Sequence, residues 1–336
     1  MTDVSIVGLD IGKTVFQVHG VNAEGEVLVR RQLRRAQLVR YFAKLPPCLV
    51  GLEACATAHY WARELRWLGH EVRLMPPAYV KAYVRRQKND AADAAAICEA
   101  VSRPSMRFVP LKTAEQQAAA ALHRVRSLLI KQRTMLTNAL RGQLAEFGIV
   151  APAGPHRLGE LLSVLDDPDA IPQPLLAGLR ELAAALRGLD RRLAAVDKQV
   201  LDWGRANETC RQLMTIPGYG PILSSAMAAM AVDPAAFRSG RQFSASLGMV
   251  PRQIGTGGKM RLGPISKRGN GYLRRLLVNG AMSVLSSRRA KHDPWLVKLL
   301  ATKERKVAAV AVANKMARIG WAVMMRQEDY RPAVTA

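Results

Sequence analysis

The chain has 336 residues, long enough for two or more domains with sizeable cores. Its 50 lysines and arginines against 26 acidic residues leave a net charge of +24, which adds nothing to fold stability and points to a polyanionic partner, nucleic acid foremost. A membrane role is disfavoured: the basic residues do not line one amphipathic helix, and no signal peptide or bilayer-length apolar run is read, so a cytoplasmic location is expected.

Residues 4–10 read as a strand buried in a sheet, with Val7, Leu9 and Ile11 in alternation. Asp10 stands where the apolar run ends, and a lone carboxylate there costs free energy unless something pairs with it. Gly12 lets the backbone turn closely afterwards. Strands follow at 15–21 and 26–33, joined by a turn over Asn22 to Glu26. A helix at 36–44 is stopped by Pro46-Pro47, and a short apolar strand at 48–53 ends in a second carboxylate, Glu53. A helix at 58–69 and a strand at 71–75 come next. Asn89-Asp90-Ala91-Ala92-Asp93 then opens an alanine-rich helix to about residue 102. Three strands followed by alternating strands and helices is the pattern of an α/β, ribonuclease-H-like domain over residues 1–104.

Residues 105–210 read as long helices. One spans 113–147, and a proline-rich connector with one short helix follows. Leu179, Leu182, Leu186, Leu189, Leu193, Val196, Val200 and Trp203 then alternate spacings of three and four. Such a seam predicts a coiled coil or a long antiparallel helix pair, with a second subunit as the expected partner. The four cysteines, Cys48, Cys55, Cys98 and Cys210, lack metal-ligand spacing and read as reduced, mostly buried thiols.

Residues 211–336 form a mostly helical C-terminal region. Ile216-Pro217-Gly218-Tyr219-Gly220-Pro221 leads into a helix at 222–231, like the turn of a helix-hairpin-helix module, where Gly218 and Gly220 would bring backbone amides close to a phosphate. Residues 234–292 contain no acid and twelve basic residues, among them Arg252, Lys259, Arg261, Lys267, Arg268, Arg274 and Arg275. One-signed charge over such a length predicts contact with nucleic-acid phosphates. Inside it, Gly255-Thr256-Gly257-Gly258-Lys259 reads as a flexible loop, and Ser266 as the cap of the next helix. Helices at 273–287 and 304–325 read as covering elements.

Asp10, Glu53, Asp90 and Asp93 fall at strand ends or a helix start. Asp90 and Asp93 share a helix face. Four acids in so basic a chain repel one another unless cations hold them, and two Mg²⁺ ions about 3.5–4 Å apart are the usual solution in phosphoryl transfer.

The ordered set Gly8-Leu9-Asp10, Gly51-Leu52-Glu53-Ala54, Asn89-Asp90-Ala91-Ala92-Asp93-Ala94, Ile216-Pro217-Gly218-Tyr219-Gly220 and Leu262-Gly263-Pro264-Ile265-Ser266-Lys267-Arg268-Gly269-Asn270 resembles the transposases of insertion-sequence family 110, with their Piv-type invertase relatives. The resemblance spans nearly the whole chain. It implies a RuvC-like domain with a DEDD metal site (Asp10, Glu53, Asp90, Asp93), coiled-coil helices and a C-terminal transposase domain. It also implies guidance by a structured bridge RNA that pairs with donor and target double-stranded DNA, and a homo-oligomer, dimer or tetramer. In the family a serine in the C-terminal loop attacks DNA, with the metal site brought to it across subunits. Here that position is Thr256, whose added methyl restricts its rotamers. Ser244, Ser246 and Ser266 are the neighbouring hydroxyls, of which Ser244 and Ser246 are expected to pack or cap.

Three other readings compete. A RuvC-like endonuclease would use the acids and water without a covalent intermediate. A silent relative would only bind nucleic acid. Asp10-Ile11-Gly12-Lys13-Thr14 also resembles the first phosphate loop of actin-like sugar kinases, but no second phosphate loop or adenosine motif follows.

Overall fold

The computed structural model describes residues 3–84, 89–152, 154, 157–231, 233–256 and 259–332, and they form two compact units divided after Glu115. The first is built on β1 (Ile6–Ile11), β2 (Val15–Val21), β3 (Val27–Arg34), β4 (Leu49–Glu53) and β5 (Glu71–Met75). Their order in the sheet is β3-β2-β1-β4-β5. β2 pairs antiparallel with β1 and β3, and β4 pairs parallel with β1 and β5. Val7, Leu9, Val50 and Leu52 are buried on one face and Gly8 and Gly51 on the other, as strands covered on both faces require. The short α1 (Leu38–Phe42) and α2 (Ala58–Trp67) pack against this core, and α3 (Pro77–Val80) follows β5.

α4 (Asp90–Val101) lies across β1 and β4, and two glycines allow it. A Cβ at Gly8 would collide with the Ala94 carbonyl oxygen and the Cys98 amide, and one at Gly51 would stand 2.7 Å from Cβ of Val101. Gly8 and Gly51 are register partners, so both sit under the same helix. A strand-interior glycine often marks such close approach.

The second unit begins with a helical hairpin. α5 (Ala114–Ala145) and α7 (Gln173–Ala206) run antiparallel, with α6 (Leu158–Ser163) in the turn. Along the pair, Trp203 packs with Ala119 and Ala120, Arg126 pairs with Asp197, Arg133 with Asp190, and Leu140 and Leu144 meet Leu179, Ala183 and Leu186. The seam expected to need a second subunit is therefore covered by α5 of the same chain. Its periodicity reported an apolar stripe, and an antiparallel neighbour satisfies it as well as a parallel copy does.

α8 (Glu208–Met214), α9 (Pro221–Met230), α10 (Gly240–Ser246), α11 (Gly271–Ser286), α12 (Pro294–Thr302) and α13 (Arg305–Arg326) complete the unit. α11 and α13 are central rather than covering: Leu273, Leu277, Ala281, Ala308, Ala309, Ala313 and Ala317 are wholly buried. Among the described residues α13 alone is long and apolar enough to cross a membrane, which the sequence reading did not register. Its small residues pack instead: a Cβ at Gly320 would collide with the Tyr219 hydroxyl, which donates to the Met316 carbonyl.

Residues 251–265 are the other departure. In place of a flexible loop, β6 (Pro251–Thr256) and β7 (Lys259–Ile265) form an antiparallel ribbon. Thr256 pairs with Lys259 across Gly257 and Gly258, which lie outside the described residues.

Candidate active site

Leu9 pairs with Leu52 in parallel register, so Asp10 and Glu53 follow at the C-terminal ends of neighbouring strands. They lie two residues beyond Gly8 and Gly51, hence on the face that α4 covers. α4 runs against β1: the Cys98 thiol reaches the Ile6 carbonyl and Ala94 lies over Gly8. Its N-terminus, with Asp90 and Asp93 in the first turn, therefore comes to the end of β1 that carries Asp10. Asn89 begins this helix by accepting a 2.8 Å hydrogen bond from the Ala92 amide.

The electrostatics record the same convergence. Asp10 is pushed up to about 6, first by burial and then by the charges of Asp93, Asp90 and Glu53. The Cys55 thiol is also raised, by burial and then by Glu53 and Asp10, so it stays protonated beside them. Asp90 is exposed, while Asp10, Glu53 and Asp93 are half-buried. The loop leaving β4 is strained at Thr57, a non-glycine at φ 69.

All four groups are hard oxygen donors, the chemistry that suits Mg²⁺. Among the described residues no three acid, histidine or cysteine side chains are gathered tightly enough to enclose a metal ion. The acids face one another across an open end of the sheet, near enough to perturb Asp10 but without a closed coordination shell. The sequence pointed to the acids but not to Gly8 and Gly51, which make the approach of α4 possible. Their signal was glycine inside an apolar strand.

In the second unit the basic residues divide. Arg261 and Arg268 are exposed, with Lys267 at φ 55 between the ribbon and α11. Arg252 donates to the Ser266 carbonyl at 3.3 and 3.4 Å. Arg274 instead turns inward, donating at 2.9 Å to the carbonyls of Leu247 and Arg268. Arg275 stacks over Tyr272 at 5.2 Å and reaches Ser127. Gly248 and Gly269 clamp these segments: each has a positive φ, and a Cβ on either would strike the other segment's backbone.

Asn270, not Ser266, caps α11, accepting from the amides of Tyr272 and Leu273. Ser244 is buried and Ser246 donates to the Phe243 carbonyl. Gly218, at φ 87, is packed against Val284, Gly280 and Met316, whereas Gly220 has open space around it. Of the two glycines, Gly218 thus serves packing, and Gly220 is the one with room for a ligand.

Known proteins match both the segment that carries the acids and the segment that carries the basic block. A DEDD transposase family model of the IS110 group matches residues 7–149, and the model for transposases of the IS116/IS110/IS902 family matches residues 210–295. A probable family 20 transposase of Pseudomonas aeruginosa is 51% identical, covering 98% of this chain and 99% of its own. The transposase of insertion sequence IS1328 from Yersinia enterocolitica is 41% identical over 96% of this chain and 97% of its own. That of IS1111A from Coxiella burnetii is 40% identical over 98% and 92%.

The chain belongs to the IS110/IS116/IS902 family of transposases. The transposase acts on DNA, cutting and rejoining it for its insertion sequence. Its first matched segment contains all four acids, and its second contains the ribbon and the whole of the one-signed block.

Proposed function

We propose that this transposase recombines DNA through a covalent protein–DNA intermediate, with Asp10, Glu53, Asp90 and Asp93 as a divalent-cation site and Thr256 as the nucleophile, directed by a structured guide RNA. The observation that carries the reading is the placement of the four acids toward one end of the sheet, where Asp10 is raised first by burial and then by the charges of Asp93, Asp90 and Glu53. The strand order β3-β2-β1-β4-β5 supports a ribonuclease-H-like, RuvC-like first domain over 1–104. Helices over 105–210 and a transposase domain over 211–336 would follow, in a dimer or tetramer in the bacterial cytoplasm.

Two Mg²⁺ ions held by the four carboxylates would neutralise charge on the attacking and leaving oxygens. The chain supplies the rest. The Thr256 hydroxyl oxygen forms the bond to phosphorus as the bridging deoxyribose oxygen leaves with a proton. Its place beside the turn of an exposed ribbon suits approach to a DNA backbone. Arg252 and Arg261 on the same ribbon oppose the developing phosphate charge. Gly220 and the exposed cations Lys267 and Arg268 hold the duplex and the guide.

The test is a denaturing gel of protein mixed with labelled element DNA and copurified RNA. Thr256→Ala should abolish the covalent adduct and leave binding intact, while Thr256→Ser retains or raises it. Cleavage without any adduct would favour the endonuclease reading. An adduct that survives Thr256→Ala passes the role to another hydroxyl.

A further inference from the structure

The ribbon of β6 and β7 carries three large apolar side chains in the solvent. Ile254 is 64% exposed, Met260 67% and Leu262 66%. A two-stranded ribbon is marginal by itself, and among the described residues this one is held by hydrogen bonds near its base. There Ser266 and Lys267 donate to the carbonyls of Val250 and Gly248, and Asn314 donates to that of Met249. The register pairs Ile254 with Arg261, Gln253 with Leu262 and Gly255 with Met260. Alternation therefore puts Ile254 and Arg261 on one face of the ribbon and Met260 and Leu262 on the other, where Met260 faces a residue that has no side chain.

What covers such a surface is decided by its charge. Residues 234–292 hold twelve cations and no acid, so a second copy of the block would be repelled. Cations with apolar wedges are the equipment of proteins that open base steps in duplex DNA. The major groove of B-DNA admits a two-stranded ribbon, and the deep, narrow one of A-form RNA does not.

We propose that the ribbon enters a groove of duplex DNA, unstacks a base step with Met260 and Leu262 and sets Ile254, on its other face, against the groove wall, kinking the strand that is to be cut. Pyrimidine–purine steps, above all TA, deform most easily and are the expected place. This rests on DNA as the substrate and not on the identity of the nucleophile.

The test uses full-length protein and DNA duplexes of the element's ends, with 2-aminopurine replacing successive adenines. Binding should raise the fluorescence severalfold at one TA or CA step. The triple variant Ile254→Thr, Met260→Thr, Leu262→Thr keeps β propensity and should abolish that rise with the salt dependence of binding unchanged. Single variants Ile254→Thr and Leu262→Thr, with circular dichroism as the folding check, should each reduce it. Arg252→Gln with Arg261→Gln should do the reverse, flattening the salt dependence while leaving the rise. The proposal is overturned if no position brightens when the wild type is bound, or if the threonine variants brighten it equally. It is equally overturned if those variants lose self-association instead, or if only an RNA duplex responds. An adduct assay with Thr256→Ala reads the nucleophile separately, so the two failures are distinguishable.

Discussion

Asp10 is held protonated to higher pH by its place in the candidate site. Its folded pKa of about 6 lies above the ordinary 3.8, so the folded chain holds this proton more tightly than the unfolded chain does. The stability that this confers is complete below about pH 4 and is lost as the pH rises through 6. Metal-free protein should therefore melt lower at pH 7 than at pH 5 where Asp10 dominates. Asp10→Asn should remove that decline, raise the melting temperature in EDTA at pH 7, and eliminate any stabilisation by Mg²⁺. Calorimetry with and without the cation checks this. A wild type whose Mg²⁺ response matches that of Asp10→Asn would mean that the ion binds elsewhere. The acids could be found in the sequence because each ends an apolar strand or opens a helix. Gly8 and Gly51 were harder to weigh, since a glycine declares permission for close approach without naming what approaches.

Helices and strands divide by whether their own sequence names their neighbour. β2 and β5 fall where alternation places them, at Val15–Val21 and Glu71–Met75. The apolar seam of α7 was equally plain, but its partner was not. α5 covers it from Trp203 to Leu179. Leu186 is buried in that contact, so Leu186→Ala should cost about 2–5 kcal/mol. The cost should be the same at every protein concentration, as read by denaturant unfolding. A loss that vanishes at high concentration would return the seam to an intersubunit role. The ribbon shows the opposite failure. Its glycines suggested a loop over 255–259, yet the segments flanking them pair, Gln253 with Leu262 and Ile254 with Arg261, although Ile254 alone of these four is a strong strand former.

Over the whole molecule, the net charge of +24 must be apportioned between residues that meet a polyanion and residues that hold the fold. Arg261, Lys267 and Arg268 belong with the first group. Neutralising any of them should flatten the salt dependence of DNA binding by about 0.9 log units per lost phosphate contact. Arg274 belongs with the second, because it holds the carbonyls of Leu247 and Arg268. Arg274→Gln should lower thermal stability before it changes the salt slope. Binding isotherms from 50 to about 300 mM salt, beside melts of each variant, separate the two groups. An Arg274→Gln variant of undiminished stability would move it to the first.

The sequence by itself determined the strongly basic charge and the DNA substrate it points to, the succession of strands and helices in the first unit, the four candidate acids and the two long helices. These follow from charge, from periods of 2 and 3.6, and from where apolar runs stop, all of which are local. Only the tertiary structure decided that α4 presses its acidic end toward Asp10, that α5 fills the seam of α7, that Gly218 is packing, that Arg274 faces inward, and that Ile254, Met260 and Leu262 stand uncovered. Periodicity reports which face of an element is apolar. It carries no information about which distant segment, or none, comes to lie on that face.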